Sequence, residues 1–284
     1  MKEIVKIGVL ILLSYLIAMA GSVSGYEINE TPIIFNCLLI AFSVHYLVFI
    51  PSFLFKTERF FDITGSITFL SIIYYILHSR ITADLNYSGL LLVGFITLWT
   101  LRLGLFLFFR IYKDGKDRRF DEIKTNFLKF MFVWTMSGTW VFITACCAIA
   151  ALCSNIIYDN LFLIIVGSSF WIVGFSLEVI SDIQKRKFKK NYKNGFITTG
   201  LWSYSRHPNY LGEIILWTGI CLIAMPSLEG LQYATLISPF FVYLLLTKGT
   251  GINLLEEYAE KKWGNQQEYQ DYKNKTPILF PFKK

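Results

Sequence analysis

Charge is what this sequence most conspicuously lacks. Asp, Glu, Lys and Arg make up only 17% of its 284 residues, whereas a soluble domain usually carries about a quarter. The sequence instead contains apolar runs of about 20 residues, and this is the length that a helix needs to cross a bilayer core. A soluble protein with unusually buried helices is the alternative. Because a bilayer core offers no water to the backbone, we expect an all-α, polytopic bundle of about seven to eight transmembrane helices with short cytosolic connectors.

Paired cysteines and sequence repeats are missing as well. The five cysteines lie within or at the ends of apolar runs, and none forms a Cys-x-x-Cys pair. Such cysteines act as small hydrophobic residues, so neither a disulfide framework nor a metal site is expected. The absence of inverted repeats weakens a transport function. We expect one integral membrane domain over residues 1–284, with an N-terminal span within 1–32.

The predicted spans alternate with basic and non-basic connectors. The spans are 4–23, 33–54, 64–82, 88–112, 128–153, 160–181, 211–226 and 231–249. Lys and Arg concentrate at both termini and in connectors 55–63, 113–127 and 182–210, whereas connectors 24–32, 83–87, 154–159 and 227–230 have none. This positive-inside pattern predicts cytosolic termini, in a bacterial inner membrane or the endoplasmic reticulum. It also accounts for the net charge of +7 without a nucleic acid partner.

The first span has a second interpretation. Lys2 and Lys6, the apolar run after them and Ala18-Met19-Ala20 are also typical of a signal peptide with a small-residue cleavage site. An uncleaved span is the expectation. Cleavage would leave seven spans and the same orientation, because the basic connectors decide the orientation.

Several polar residues lie inside or at the ends of apolar runs. Arg102 is in the middle of the fourth span, where a charge usually lines a functional cavity or meets a buried partner. Glu178 and Asp182 are one helical turn apart and share a face, either within a site or solvated at the membrane surface. His45 and His78 lie in apolar runs and are interpreted as packing or hydrogen-bonding residues.

Polar chemistry is densest in the segment Gly200-Leu-Trp-Ser-Tyr-Ser-Arg-His-Pro-Asn-Tyr-Leu-Gly-Glu213. Pro208 suits the first position of a helix, and helix N-termini attract anions. Arg206 adds a bidentate cation, and His207 adds a donor whose charge can change near neutral pH. The segment therefore predicts a site for an anionic or polar ligand that approaches from the cytosol. A helix cap that binds lipid headgroups is the alternative.

This segment resembles the C-terminal signature of the steroid 5-alpha-reductase-like membrane proteins, and more closely that of their DUF1295 branch. Further stretches look like the same branch: Phe61-Asp-Ile-Thr-Gly-Ser66, Leu101-Arg-Leu-Gly-Leu105, Gly115-Lys-Asp-Arg-Arg-Phe120, Gly174-Phe-x-x-Glu178, Ser181-Asp-x-Gln-Lys185, and the tail from Leu254 to Pro277. The resemblance covers about residues 35–283.

The resemblance implies a helical bundle whose cytosolic half binds NADPH. It also implies hydride delivery to an activated carbon–carbon double bond in a lipid such as a steroid or an isoprenoid, taken from the bilayer. The cofactor-binding positions that it implies are Asp182, Arg186, Tyr204, Arg206, His207, Asn209, Tyr210, Glu213 and Glu256.

The residues expected to act on the substrate depart from the pattern of the steroid 5-alpha-reductases. Aligning Arg102 with the matching arginine of the steroid 5-alpha-reductases puts Trp99 where those enzymes carry a tyrosine acid. Reduction of an enone needs a proton donor near the carbonyl oxygen, and an indole does not usefully deliver a proton. Their Gln-Glu substrate pair is also absent, and Glu58 is the nearest candidate. Arg102, Glu58 and Trp99 are therefore the candidate catalytic residues.

Two other functions remain open. Isoprenylcysteine carboxyl methyltransferases carry a similar Arg-His-Pro-x-Tyr stretch and tail, which bind S-adenosylmethionine, and Glu256 would then approach the methyl donor. The 113–127 connector and the region of Asp182 favour the reductase branch. A non-catalytic lipid-binding or transport protein is the third possibility.

Overall fold

The computed structural model of the protein describes residues 1–79, 85–115, 117, 120–156, 158–192, 194–249 and 251–282. Parts of the predicted connectors 83–87 and 113–127 lie outside the described residues. So do the end of the third predicted span at 80–82 and the basic residues Lys116, Arg118, Arg119 and Lys193.

Within the described residues the chain is almost entirely helical. The α-helices are α1 (Lys2–Ser22), α2 (Ile33–Leu54), α3 (Phe61–Ser79), α4 (Tyr87–Asp114), α5 (Phe127–Leu152), α6 (Leu161–Asn191), α7 (Pro208–Ala224), α8 (Ser238–Lys248), α9 (Ile252–Trp263) and α10 (Gln267–Lys275). A short antiparallel hairpin joins β1 (Glu27–Ile28) to β2 (Thr31–Pro32). Eight helical stretches of the described chain are long and apolar enough to cross a membrane, which confirms the all-α, multi-span prediction.

The chain forms two compact units: residues 1–164 with 220–238, and residues 165–219 with 239–284. In the first unit α5 is the central helix, since α1, α2 and α3 pack against it and its residues 141–152 are all buried. α3 also packs against α2 and α4. The single domain expected over 1–284 stays a prediction.

The second unit is built on a glycine contact between α6 and α7. A Cβ added at Gly174 would lie 2.5 Å from the carbonyl oxygen of Gly212, and one added at Gly219 would lie 2.5 Å from that of Gly167. The two glycines on each helix are seven residues apart, which is close to two turns and keeps them on one face. Small residues of this kind let membrane helices approach backbone to backbone.

Some predicted boundaries were wrong. α6 continues to Asn191, ten residues beyond the predicted end of its span at 181, because Gln, Lys and Arg are good helix formers. α7 begins at Pro208, as the proline predicts, but before the predicted span start at 211.

The C-terminal region also differs from its prediction. The last predicted span, 231–249, begins as a 3-10 helix over Gly230–Ile237, and α8 starts at Ser238, where Pro239 suits a first helical turn. The tail continues as two further helices, with α9 ending directly before Gly264 and α10 carrying Tyr269 and Tyr272.

Candidate functional site

The segment 200–213 is anchored to α6 by a glutamine. Gly200 has φ +64°, a backbone conformation that favours glycine, and a Cβ added there would lie 2.6 Å from the Gln184 amide nitrogen. The backbone N–H of Leu201 donates to the Gln184 Oε1 at 3.0 Å. The sequence did not single out Gln184 as a functional residue, although its place in the Ser181-to-Lys185 pattern was visible.

Trp202 connects this segment to two helices. Its indole N–H donates to the Ser181 carbonyl on α6 at 3.1 Å, and its own carbonyl accepts from the Tyr272 hydroxyl on α10 at 2.7 Å. The ammonium of Lys185 lies 4.7 Å from the centre of the indole. Since Trp202 is buried, it fixes the segment between α6 and the C-terminal region.

The end of the chain pairs directly with the same segment. The backbone N–H of Arg206 donates to the Pro277 carbonyl at 3.0 Å, and the Ser205 hydroxyl donates to the Ile278 carbonyl at 3.3 Å. The Ser205 oxygen also accepts from the His207 backbone N–H at 3.2 Å. These contacts hold the two residues that lead into α7.

A carboxylate from α9 joins Arg206 to His207. One oxygen of Glu256 accepts from the Arg206 Nη1, and the other lies 2.7 Å from the His207 Nε2. Arg206 and His207 are both more than nine-tenths buried. The His207 ring stacks on the Tyr210 ring, with centroids 5.7 Å apart. Two adjacent side chains and a carboxylate 50 residues after Arg206 thus form one charged cluster.

The surroundings of His207 favour its neutral form. Burial lowers the pKa of His207, and although the Glu256 carboxylate opposes this, Lys185 and Arg206 add to the lowering. A carboxylate can only accept, so a neutral ring donates its Nε2–H to Glu256 and leaves Nδ1 as an acceptor. Among the described residues no group bonds the His207 Nδ1 or the Arg206 Nε. The cluster therefore presents one cationic donor and one neutral acceptor.

The phenols of α10 stay protonated. Burial raises the pKa of both Tyr269 and Tyr272, and the charge of Glu256 raises both further. At neutral pH they are hydrogen-bond donors beside this cluster.

Three further carboxylates of this unit are buried. Glu178 is 3% exposed, Asp182 7% and Glu213 9%. The interpretation of Glu178 and Asp182 as solvated groups is therefore wrong. A Cβ added at Gly212 would lie 2.7 Å from the Glu178 nitrogen, so close packing of α6 on α7 is what removes this turn of α6 from solvent.

The remaining predicted cofactor residues are less buried. Tyr204 is 67% exposed, and Arg186 is exposed on α6. Asn209 and Tyr210 are half-buried in the first turn of α7. The buried members of the predicted set are therefore those around Arg206 and His207, whereas Tyr204 and Arg186 lie at the surface.

The candidate catalytic residues Glu58, Trp99 and Arg102 belong to the first unit. The contacts seen for the three residues share no partner. Glu58 is 4% exposed; its carboxylate accepts from the Lys124 ammonium at 2.7 Å and from the Asp117 backbone N–H at 3.0 Å.

Trp99 and Arg102 lie three residues apart on α4. Trp99 is buried against the rings of Phe69 and Trp140, with centroids 5.4 and 6.2 Å away. The guanidinium carbon of the half-buried Arg102 lies 5.1 Å from the centre of the Phe106 ring.

The two histidines of the apolar runs have the expected packing and hydrogen bonds. His45 on α2 is fully buried, with its ring nitrogens 2.7 Å from the Ala41 carbonyl and 3.0 Å from the Ser137 hydroxyl. His78 on α3 stacks on Tyr74.

Comparison with known proteins gives one family and several partial relatives. The family model described as "Protein of unknown function (DUF1295)" matches residues 48–276. The 3-oxo-5-alpha-steroid 4-dehydrogenase 1 of Rattus norvegicus is 28% identical over 120 residues, which are 42% of this chain and 41% of that protein. The protein of the same name from Homo sapiens gives the same identity and the same coverage of both chains.

A relative with a different name matches a shorter stretch. The probable O-methyltransferase ustE of Ustilaginoidea virens is 32% identical over 98 residues, which are 34% of this chain and 32% of that protein. The chain thus spans about two fifths or less of the length of these relatives. No solved structure matches.

Proposed function

Because the chain belongs to the DUF1295 family, we propose that it is an integral membrane oxidoreductase that uses NADPH. Its reaction would be the reduction of a carbon–carbon double bond in a steroid-like or isoprenoid lipid. The observation that carries this proposal is the buried Arg206–His207–Glu256 cluster. The similarity to steroid dehydrogenases supports the choice of reaction.

The chemistry of this cluster suits a phosphorylated nucleotide. The N–H of Arg206 Nε is a buried donor that a phosphate oxygen would satisfy, and the neutral His207 Nδ1 would accept from a hydroxyl. Further hydroxyl and amide groups of the nucleotide would be bound by Asp182, Asn209 and Glu213. Its outer charged and aromatic parts would contact Arg186 and Tyr204. Bound NADPH would supply the hydride, and the protein would bind and orient it.

Arg102, Trp99 and Glu58 are proposed to act on the substrate. Arg102 would stabilise negative charge that develops on the substrate oxygen, and Trp99 would donate a hydrogen bond. Glu58 is proposed with them, and its ion pair with Lys124 would hold the carboxylate in place. The lipid would enter from the bilayer, with both termini of the chain in the cytosol.

A methyltransferase is the second candidate. Glu256 lies at the centre of the cluster, and one relative is named as a probable O-methyltransferase. S-adenosylmethionine also carries ribose hydroxyls and a carboxylate, so the same donor and acceptor would suit it.

Ligand titration separates these functions. The full chain, purified in detergent, is titrated with NADPH, NADH and S-adenosylmethionine. We expect saturable NADPH binding that Arg206→Gln weakens by roughly tenfold or more, because a hydrogen bond to a charged group contributes about 1.5–3 kcal/mol. Asn209→Ala should weaken it less.

Lys261→Gln is the matched control, since it removes one cation from the exposed pair with Glu257 on α9 and should leave the affinity unchanged. Binding of S-adenosylmethionine without NADPH would replace the proposed reaction by methyl transfer. Binding of none of the three would favour a non-catalytic lipid-binding or transport protein.

A further inference from the structure

The exposed side chains on one face of α6 change from apolar to basic toward the C-terminal end of the helix. Val173, Ile180 and Ile183 are 53%, 47% and 59% exposed, and Lys187 and Lys190 follow them, also exposed. The spacings of seven, three, four and three residues keep all five side chains on one side of an α-helix. We call these five residues the exposed stripe of α6.

The opposite side of the same helix is occupied by protein. Gly174, Glu178 and Asp182 lie there and are buried, and a Cβ added at Gly174 would lie 2.5 Å from the carbonyl oxygen of Gly212 on α7. The packing of α7 therefore covers one side of α6 and leaves the exposed stripe uncovered.

The two lysines of the stripe have no acidic partner within the described part of the chain. Lys261 and Lys273 of the same unit do have one, since they pair with Glu257 at 2.7 Å and with Glu260 at 2.6 Å. Two neighbouring cations without an acidic partner attract an external anion.

The position of these cations along α6 matches the depth of lipid headgroups. Ile183 is the last exposed apolar residue of the stripe, and at 1.5 Å per residue Lys187 and Lys190 follow it by about 6 and 10 Å. The headgroup layer of a bilayer is roughly 5–8 Å thick on each side. Lysine side chains also bend toward such a layer while their stems stay on apolar surface.

We propose that the exposed stripe of α6 binds an anionic phospholipid. Its acyl chains would lie along Val173, Ile180 and Ile183, and its headgroup would contact the ammonium groups of Lys187 and Lys190. The net negative charge of the lipid would give Lys187 and Lys190 the acidic partner that they lack within the described chain. A zwitterionic lipid has no net charge and would not do so. This binding requires only that α6 spans the membrane, so it is independent of the proposed reaction.

Native mass spectrometry of the full chain in detergent tests the site with two lipids of identical acyl chains, phosphatidylglycerol and phosphatidylcholine. We expect a preference for phosphatidylglycerol that falls with added salt. The double variant Lys187→Gln/Lys190→Gln should lower the affinity for phosphatidylglycerol by about 30-fold, given the usual contribution of two basic residues at an anionic surface. Its affinity for phosphatidylcholine should hardly change.

Two variants serve as controls. Lys261→Gln/Lys262→Gln removes the same number of charges from α9 and should keep the preference, and Lys187→Arg/Lys190→Arg should retain it as well. The proposal is wrong if the Lys187/Lys190 double variant still prefers phosphatidylglycerol, or if the control loses the preference equally.

Free phosphate is tested in a separate arm. Displacement of phosphatidylglycerol by millimolar inorganic phosphate or by NADPH would overturn the lipid assignment, because the cations would then recognise phosphate itself. NADPH affinity of the Lys187→Gln/Lys190→Gln variant should equal that of the wild type. This keeps a failure of the lipid site distinct from a failure of the proposed reaction.

Discussion

Buried charge is arranged differently in the two units. In the second unit, Glu256 bridges Arg206 and His207, and each of these two residues keeps a buried nitrogen that no group of the described chain bonds. In the first unit, each oxygen of Glu58 accepts from its own protein donor. A buried charged group with unused bonding capacity suits a ligand, whereas one whose partners are all in the protein suits a structural connection.

The contacts of the buried tryptophans also differ between the two units. Trp202 uses its indole N–H and its carbonyl to connect two helices, whereas the contacts seen for Trp99 are with other aromatic rings. Replacements in the two units should therefore separate effects on ligand affinity from effects on stability.

The largest effect is expected in the first unit, from Lys124→Met. It leaves the buried Glu58 carboxylate without its cation, and loss of one partner of a buried pair costs about 3–5 kcal/mol. Thermal unfolding in detergent should show this loss, with NADPH affinity unchanged. Adding Glu58→Gln should restore most of the stability. A Lys124→Met variant as stable as the wild type would break the contrast between the units, and full turnover by Glu58→Gln would remove Glu58 from the proposed catalytic residues.

A smaller effect is expected in the second unit, from Gly174→Ala. The new Cβ meets the backbone of Gly212 and Leu216 at 2.5 Å, which cannot move as a side chain can, so a cost of about 1–3 kcal/mol is expected. NADPH affinity should fall in parallel, because this helix contact supports the site. Gly94→Ala in α4, with no atom within 4 Å of the new Cβ, is the control and should unfold at or above the wild-type temperature. Equal destabilisation by both would refute the special role of the α6–α7 contact.

The smallest loss of stability is expected from replacing one tyrosine by phenylalanine in each unit. Tyr272→Phe removes the hydrogen bond to the Trp202 carbonyl, and Tyr46→Phe removes the one at 3.0 Å to Thr135. Each should lower the free energy of unfolding by about 1 kcal/mol. Only Tyr272→Phe should also change the NADPH dissociation constant, measured on the same samples. A change of that constant with Tyr46→Phe would show that the two units do not separate these effects.

Local features of the sequence predict much of this molecule. Apolar runs located the helices, and Pro208 marked the first residue of α7 because its fixed φ suits that position. The density of hydrogen-bonding groups after Tyr204 identified the segment that contains the cluster. Each of these inferences depends on neighbours within a few residues.

The features that could not be predicted depend on contacts between residues far apart in the chain, or on helix propensity where hydropathy alone is misleading. Glu256 was expected near a ligand, but its bridging of Arg206 and His207 joins residues 50 positions apart. Lys124 and Glu58 are separated by 66 positions. The extension of α6 to Asn191 was missed because hydropathy falls at Lys185, whereas helix propensity does not.

The glycine contact between α6 and α7 also limits how the second unit can move. Glycines oppose one another at Gly174 with Gly212 and again at Gly167 with Gly219, seven residues along both helices. The next register that would again bring these glycines together is shifted by seven residues, about 10 Å, and any smaller slide drives side chains into backbone. α6 and α7 are therefore locked against gradual sliding. Opening or closing around a ligand in this unit has to occur by tilting about the glycine contact or by movement of α9 and α10.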